Sequence, residues 1–548
     1  MTAWTGAFLP MVALAWPLLL ATFAALPPVR SRAVRLLPLA PLPALQLALA
    51  GAEGVTAAPD LLLGVTLGLD PAGRLLLGMT AALWLIAGLA AQPMAGQVRS
   101  SVFVGFWCLT LAGNVGVLLA ADVLTFYVAF AAVSLASWYL VVHDGTPAAL
   151  GAGRVYIVLA ISGEVALLTG LLIGVDAAGG TGIAAVRAAL GETALGPLAV
   201  TLLVAGFGIK AGLVPLHVWL PLAHPAAPVP ASAVLSGAIV KAGLWGMLVF
   251  LPPGAAGQAL VGLGLAGAFG AALWGLTQRN PKAVLAYSTV SQMGLMAMLV
   301  GAGGAARDMA PFFALHHGFA KGALFLLVGA ILSAGTDRQR VVSIAIAGVV
   351  AASIAGAPLT GGAVAKAAVK PALAGWLAPA MSLSSFTTAL LLVWFLRILA
   401  TTRGRGSPAP GWTRRLLFPA AAGGLAIAAP WALWPDWTGR APDYLLTPDA
   451  VAGGVWPLAL ALAVALVLRS RALPERPPGD LLCTLARLRP RQVHLPVLPA
   501  PPVMTGRTLA RLLGAVAAAE RRLLPWSVGG MLLSSLAVIL LVLLAAAS

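Results

Sequence analysis

Two lysines, Lys210 and Lys241, lie in the stretch GFGIKAGLVPLHVWLPLAHPAAPVPASAVLSGAIVKAGLWG, residues 206–246, each inside an apolar run long enough to cross a membrane. A proline-rich reversal separates them. An ammonium group in hydrocarbon is expensive, so a lysine at that depth is read first as a functional group, most often one that handles ions or protons. The same pattern recurs further on. His317 and Lys321 are one helical turn apart and share a face, Lys366 and Lys370 do likewise, and His316 adjoins the first pair. Glu164 is the only carboxylate well inside an apolar span, about ten residues and hence roughly 15 Å from the cytoplasmic end of its helix. A carboxylate that sets the charge of a nearby lysine, followed by lysines and histidines able to exchange protons through water, makes up the parts of a proton relay. The plainer alternative for each residue is a polar contact between helices. His217 and His224, within the reversal, read better as hydrogen-bonding groups at a loop or helix end, or as the lining of an entry.

All six lysines lie between Lys210 and Lys370, whereas the 27 arginines sit mostly in loops and tails. Arginine cannot shed its proton inside a protein; a buried lysine can be tuned to do so. Charge for orientation and charge for titration are thus carried by different residue types. The elements that must hold these groups follow from composition. The chain has 548 residues, is 60% hydrophobic and only 9% charged, with a mean hydropathy of +0.98. Apolar runs of about 20 residues recur from end to end, which predicts an all-α polytopic membrane protein and excludes a barrel of ten-residue alternating strands. The net charge of +17 does not indicate nucleic acid, because the basic residues occupy short loops between spans. Cys108 and Cys483 offer neither a disulfide framework nor a metal site. The N-terminus lacks a basic segment before its first apolar run, so no cleavable signal is expected.

About sixteen spans are expected. With Arg30, Arg32 and Arg35 placed in the cytoplasm, Arg99, Arg154, Arg279 with Lys282, Arg338 with Arg340, Arg403 to Arg415 and the region from Arg469 fall on the same side. Glu53, Asp60, Asp70, Asp122, Asp176, Glu192, Asp308, Asp436, Asp443 and Asp449 fall on the other, with only a few arginines, and both termini come out non-cytoplasmic. Pro215 and the run Gly356-Ala-Pro-Leu-Thr-Gly-Gly362 should break two of the helices. Broken helices at membrane depth survive where protein or a water-filled cavity satisfies the freed backbone, and in transporters they mark ion sites. The organisation read from spacing is N-terminal helices over 1–100 and a core over 101–405. Within that core, five-helix units of inverted orientation fall at about 101–251 and 256–400. C-terminal helices at 406–473, a lateral amphipathic segment at 474–525 and a terminal anchor at 526–548 complete the chain. The segment TGRTLARLLGAVAAAERRLL, residues 505–524, suits a helix lying along the membrane or on a partner subunit.

No nucleotide loop, metal cluster, flavin or haem motif, or nucleophile–base pair is visible, so no cofactor is expected on this chain and any redox chemistry belongs to another. The stretch from Lys210 to Lys241 resembles the signature of the antiporter-like subunits of respiratory complex I, membrane-bound [NiFe] hydrogenases and Mrp-type cation/proton antiporters. The likeness continues in NPKAVLAYSTVSQMG (280–294), HHGFAKGALFLLVGA (316–330) and GAPLTGGAVAK (356–366), and covers about residues 60–400. The resemblance implies that Lys210 is the family's broken-helix lysine and Lys241 the lysine of the next span. His317 and Lys321 would form the central relay, and Lys366 the charged residue of the second broken helix. Two positions depart from the pattern. FAAVSLASW (130–138) places Ala131 where the family usually carries a glutamate partner for the broken-helix lysine, and Glu164 on the next span is expected to take its part. Leu222 stands where many relatives have an acid.

Three functions fit these residues. The first is a proton-translocating subunit of a multi-subunit complex I-related or hydrogenase-type assembly in a bacterial inner membrane, with other membrane and peripheral subunits as partners. The second is a secondary Mrp-type antiporter subunit, with sodium as the exchanged ion. The third is a membrane platform for a soluble partner, as in two-component inorganic-carbon importers. The relay itself comprises Glu164, Lys210, Lys241, His317, Lys321 and Lys366. The chain would then be a non-redox, ion-translocating subunit rather than a self-contained enzyme.

Overall fold

In a computed structural model, residues 2–51, 54–58, 64–97, 99–402, 411–470 and 474–479 are described. Apart from one hairpin they are helical, with short connections. The long helices are α1 (Thr2–Ala25), α2 (Ala33–Ala50), α3 (Pro71–Ala90), α4 (Ser100–Leu119), α5 (Val123–Val142) and α6 (Pro147–Ala178). Next come the shorter α7 (Gly196–Ala211) and α8 (Trp219–Ala226), then α9 (Val229–Phe250), α10 (Gly257–Gly275), α11 (Pro281–Ala302) and α12 (Ala310–Leu332). The series closes with α13 (Asp337–Ala355), the short α14 (Gly361–Val369), α15 (Leu377–Thr401), α16 (Trp412–Thr438) and α17 (Pro448–Val467). Among the described residues, 14 helices are long and apolar enough to cross a membrane. This is a polytopic all-α membrane protein. Beyond residue 479, the lateral segment and the last span read from the sequence lie outside the described residues.

The starts of these helices follow local chemistry. Side-chain oxygens of Asp70, Asp122, Thr146, Asn280, Thr336 and Thr447 each accept an amide of the first turn they precede. Proline follows at the first helical position in four of the six, where its missing N–H costs nothing. Burial is graded inward. The apolar window of α11 is buried along its full length and those of α9 and α12 along 89%, whereas α17 is buried over only 11%. The helices that carry Lys241, Lys282 and Lys321 are therefore the centre of the bundle.

Small residues let that centre close. Gly237 of α9 and Gly318 of α12 face one another, and a methyl added to either would lie 2.8 Å from the other's carbonyl oxygen. Such backbone-to-backbone approach drives helix association where lipid supplies no hydrophobic force. Here it sets α9 beside His317.

One element has no counterpart in the sequence reading. Strands β1 (Val55–Ala58) and β2 (Val65–Gly68) form an antiparallel hairpin in register Val55↔Gly68. Asp122, which the charge pattern places in a loop, ties it down. Its carboxylate is buried and accepts from Thr125 N (2.8 Å), Thr125 Oγ1 (2.6 Å) and, across the chain, Thr66 N (2.8 Å). Asp122→Ala leaves three donors without their acceptor and is expected to lower stability by about 1–2 kcal/mol. The measurement is the thermal midpoint in detergent, and an unchanged midpoint would show that the cap is dispensable.

Candidate functional site

The first broken helix builds the first station. α7 stops at Gly212, whose φ of +74° is a left-handed conformation that favours glycine. The chain is not helical again until α8. The carbonyl of Ile209, which also takes the Gly212 amide at 3.2 Å, accepts the indole N–H of Trp219 at 2.7 Å. Lys210 lies in the last turn before the break, only 4% exposed. Its Nζ donates to Tyr156 OH at 3.4 Å and stands 5.6 Å from the centroid of Phe130. The tyrosine is itself fixed, with its hydroxyl 2.6 Å from Ser137 Oγ and 3.0 Å from the Ser134 carbonyl.

Glu164 enters the same place from α6. It is buried, its Oε2 has no hydrogen-bond partner among the described residues, and its charge acts on that of Lys210. The two line one cavity of about 10 Å³ together with Phe130, Ser134, Tyr156 and Trp219. That volume is of the order one water occupies. Phe130 and Ser134 flank position 131 on α5, so a glutamate there would leave from the same turn of helix. Because α6 begins at Pro147 and runs 32 residues, Glu164 lies near its middle, 17 residues from its start (164 − 147) rather than about ten.

The second station is on α9. Residues Leu235–Ile239 adopt a π-helical turn, a feature often found at functional sites. The wider turn leaves the Ser236 carbonyl to Lys241, whose Nζ donates to it at 2.6 Å. The same Nζ is 2.8 Å from His317 Nδ1 on α12. With Lys241 as the ammonium donor, Nδ1 must be the acceptor and the neutral ring carries its proton on Nε2, which has no partner among the described residues. Moving one proton along this 2.8 Å contact exchanges the roles of the two groups. One turn on, Lys321 is fully buried and donates to the Leu285 carbonyl at 3.1 Å. Its charge and that of Lys241 repel, so a proton arriving at one acts on the other.

The third station is the second break. α13 ends at Gly356 (φ +93°) and α14 begins at Gly361. Lys366 reaches back to that end, with Nζ 2.8 Å from the Ala355 carbonyl and 2.8 Å from Ser385 Oγ. A cation at a helix C-terminus satisfies both an orphan carbonyl and the dipole. The stem lies across Gly356, where an added methyl would stand 3.0 Å from Lys366 Cδ. A cavity of about 100 Å³ opens from Lys366 past Lys370, Ser385, Tyr444 and Asp449. Both breaks lie where proline and glycine placed them in the sequence.

Two readings change. His217, in the turn before α8, and His224, in the last turn of α8, lie at the loop and helix end expected, but both are buried. His224 is not a hydrogen-bonder: both ring nitrogens lack partners among the described residues, and the ring stacks on Phe325 with centroids 4.4 Å apart. Lys282, a loop charge by its place in the sequence, donates its Nζ to the Ala227 carbonyl at 2.6 Å. Tyr156 is a site residue that the sequence reading lacks, although it precedes Glu164 by eight residues and so faces the same way on α6.

A polytopic helical membrane protein with buried lysines at two broken helices is the class defined by this geometry. Residues 120–392 match the family described as NADH:quinone oxidoreductase/Mrp antiporter, transmembrane, and through this segment the chain belongs to the antiporter-like membrane subunits. It is 32% identical over 256 residues to hydrogenase-4 component B of Escherichia coli (strain K12), spanning 43% of this chain and 38% of that one. To a Na(+)/H(+) antiporter subunit of Alkalihalophilus pseudofirmus it is 28% identical over 264 residues, 46% of this chain and 53% of the relative. The matches thus span about half or less of those relatives' length. Among solved structures, the Mrp complex from Dietzia sp. DQ12-45-1b shares the fold with a TM-score of 0.71 at 22% identity, covering 94% of this chain and 62% of that one. The archaeal membrane-bound sulfane sulfur reductase does so with a TM-score of 0.68 at 20% identity, covering 83% and 99%.

The shared cavity makes a direct expectation. Glu164→Gln keeps the shape and removes the charge beside Lys210, and should slow proton translocation in proteoliposomes by roughly tenfold or more if the carboxylate sets the lysine's state. Translocation at the wild-type rate would show that Glu164 does not replace the missing glutamate at position 131.

Proposed function

We propose that the chain is a proton-translocating, antiporter-like subunit of a multi-subunit complex related to complex I or to the membrane-bound hydrogenases. It would lie in a bacterial inner membrane with both termini non-cytoplasmic. The observation that carries this reading is the 2.8 Å contact between Lys241 and His317, a titratable pair with no other evident use, placed between two broken helices that each hold a lysine. Structural polar contacts would be served as well by serine or asparagine at far lower cost.

In this mechanism a charge change in a neighbouring subunit alters the pairing of Glu164 with Lys210 across their cavity. An ammonium less compensated by its carboxylate pushes on the next positive site. The proton passes from Lys241 to His317, shifts the charge at Lys321, and reaches Lys366 at the second break. From there the cavity past Lys370 and Asp449 leads outward. Each step moves one proton between groups that can carry it in either state, which lysine and histidine do and arginine does not.

Lys210→Ala should abolish or sharply reduce translocation by the reconstituted complex while leaving assembly intact. Loss of assembly would assign Lys210 a structural role. A second reading, a secondary cation/proton antiporter, is favoured by the likeness to the Na(+)/H(+) antiporter of Alkalihalophilus pseudofirmus. Proton flux driven by a sodium gradient with no redox subunit present would select it.

A further inference from the structure

We infer that His316 is a further proton carrier, and that the adjacent pair His316–His317 takes the proton through α12 from one half of the relay to the other. The inference rests on the relay reading of the preceding subsection.

α12 is the wall between the stations. On one side it packs against α9 and α11, which carry Lys241 and the carbonyl that holds Lys321; on the other it packs against α13 and α14, which form the second break. Consecutive side chains on a helix leave it about 100° apart. His317 turns to Lys241 on α9. His316 turns the other way, and its Nε2 stands 3.0 Å from Ser353 Oγ on α13. Both rings are buried, at 3% and 1% exposure.

The surroundings of His316 are shaped for it. Ser353 Oγ also accepts the amide of Gly362, the second residue of α14, at 3.3 Å. An added methyl at Gly362 would lie 3.0 Å from His316 Cε1 and would collide with the Ser353 carbonyl, so only glycine lets the ring and α13 lie against this turn. Lys366 is one turn further along α14 on the same face. The charges of His316 and Lys366 act on each other, as do those of His316 and His317. His317 and Lys321 alone reach only the α9 and α11 side, whereas His316 supplies the missing contact with the break.

The step balances as a proton hop. A protonated His317 gives up one proton, through a bridging water, to neutral His316. The resulting imidazolium releases one proton at Nε2 to Ser353 Oγ, which passes on a proton of its own towards Lys366. One proton enters and one leaves, and no bond between heavy atoms changes.

The test is proton uptake by proteoliposomes holding the chain with its co-purifying subunits, driven by a potassium–valinomycin potential and read with a trapped pH dye. His316→Gln keeps a hydrogen bond to Ser353 but offers no group that takes up a proton near neutral pH. The expected result is wild-type assembly and thermal midpoint with uptake reduced about tenfold or more. Wild-type uptake by His316→Gln, alongside lost uptake in Lys241→Ala, overturns the inference and leaves the relay standing. Wild-type uptake by both removes the relay reading itself. Should His316→Gln fail to assemble, Ser353→Ala decides: slowed uptake supports the crossing, and an unchanged rate overturns it.

Discussion

Burying an ammonium group without a carboxylate beside it is the constraint on which the rest of this structure depends. Lys241, Lys321 and Lys366 are each at most 5% exposed, and each is held by main-chain carbonyls or neutral side chains. Lys321 uses the Leu285 carbonyl within the continuous α11, whereas the other two draw on helices that are interrupted or widened. The π turn of α9 frees the Ser236 carbonyl for Lys241, and the end of α13 frees that of Ala355 for Lys366. The irregular backbone is therefore the solvation of these two charges, as expected where non-helical chain is tolerated at membrane depth. The glycines follow from the same need, since the backbones must approach closely enough for a side chain on one helix to reach a group on the next.

The arrangement is asymmetric between the two breaks. Lys210 shares its cavity with Glu164, a partner of opposite charge, in a space of about 10 Å³. Among the described residues, Lys366 has only neutral ligands within hydrogen-bond reach, and it faces a cavity of about 100 Å³. A charge disturbed at the first break has a carboxylate to leave or rejoin; at the second it has a roomy polar exit. In the proposed relay, that difference would give proton movement a sense of direction without any group having to move far.

Much of this is legible in the sequence because membrane proteins write their costs plainly. Lysine inside an apolar run, proline at 215, and the glycine-rich run at 356–362 locate both breaks and the stations they carry. What stays hidden lies in facing rather than identity. The π turn at Leu235–Ile239 has no composition of its own, so the Lys241–Ser236 contact cannot be read from the residues. His316 and His317 are alike in sequence and turn to opposite sides of α12, which only the packed helices decide. Tyr156 looks like one more aromatic residue in a span, and the strands at 55–58 and 65–68 are too short and mixed to signal a pair. His224 sits at a helix end, as its sequence context suggests, but its ring is buried against Phe325 with no hydrogen-bond partner among the described residues.

The central claim is that the lysines serve by releasing protons and not merely by being charged. Lys241→Arg tests it most directly, because arginine keeps a cation that can reach the Ser236 carbonyl but cannot give up its proton. The substituted complex should assemble normally and translocate almost no protons in proteoliposomes. Translocation at the wild-type rate with arginine at position 241 would contradict it.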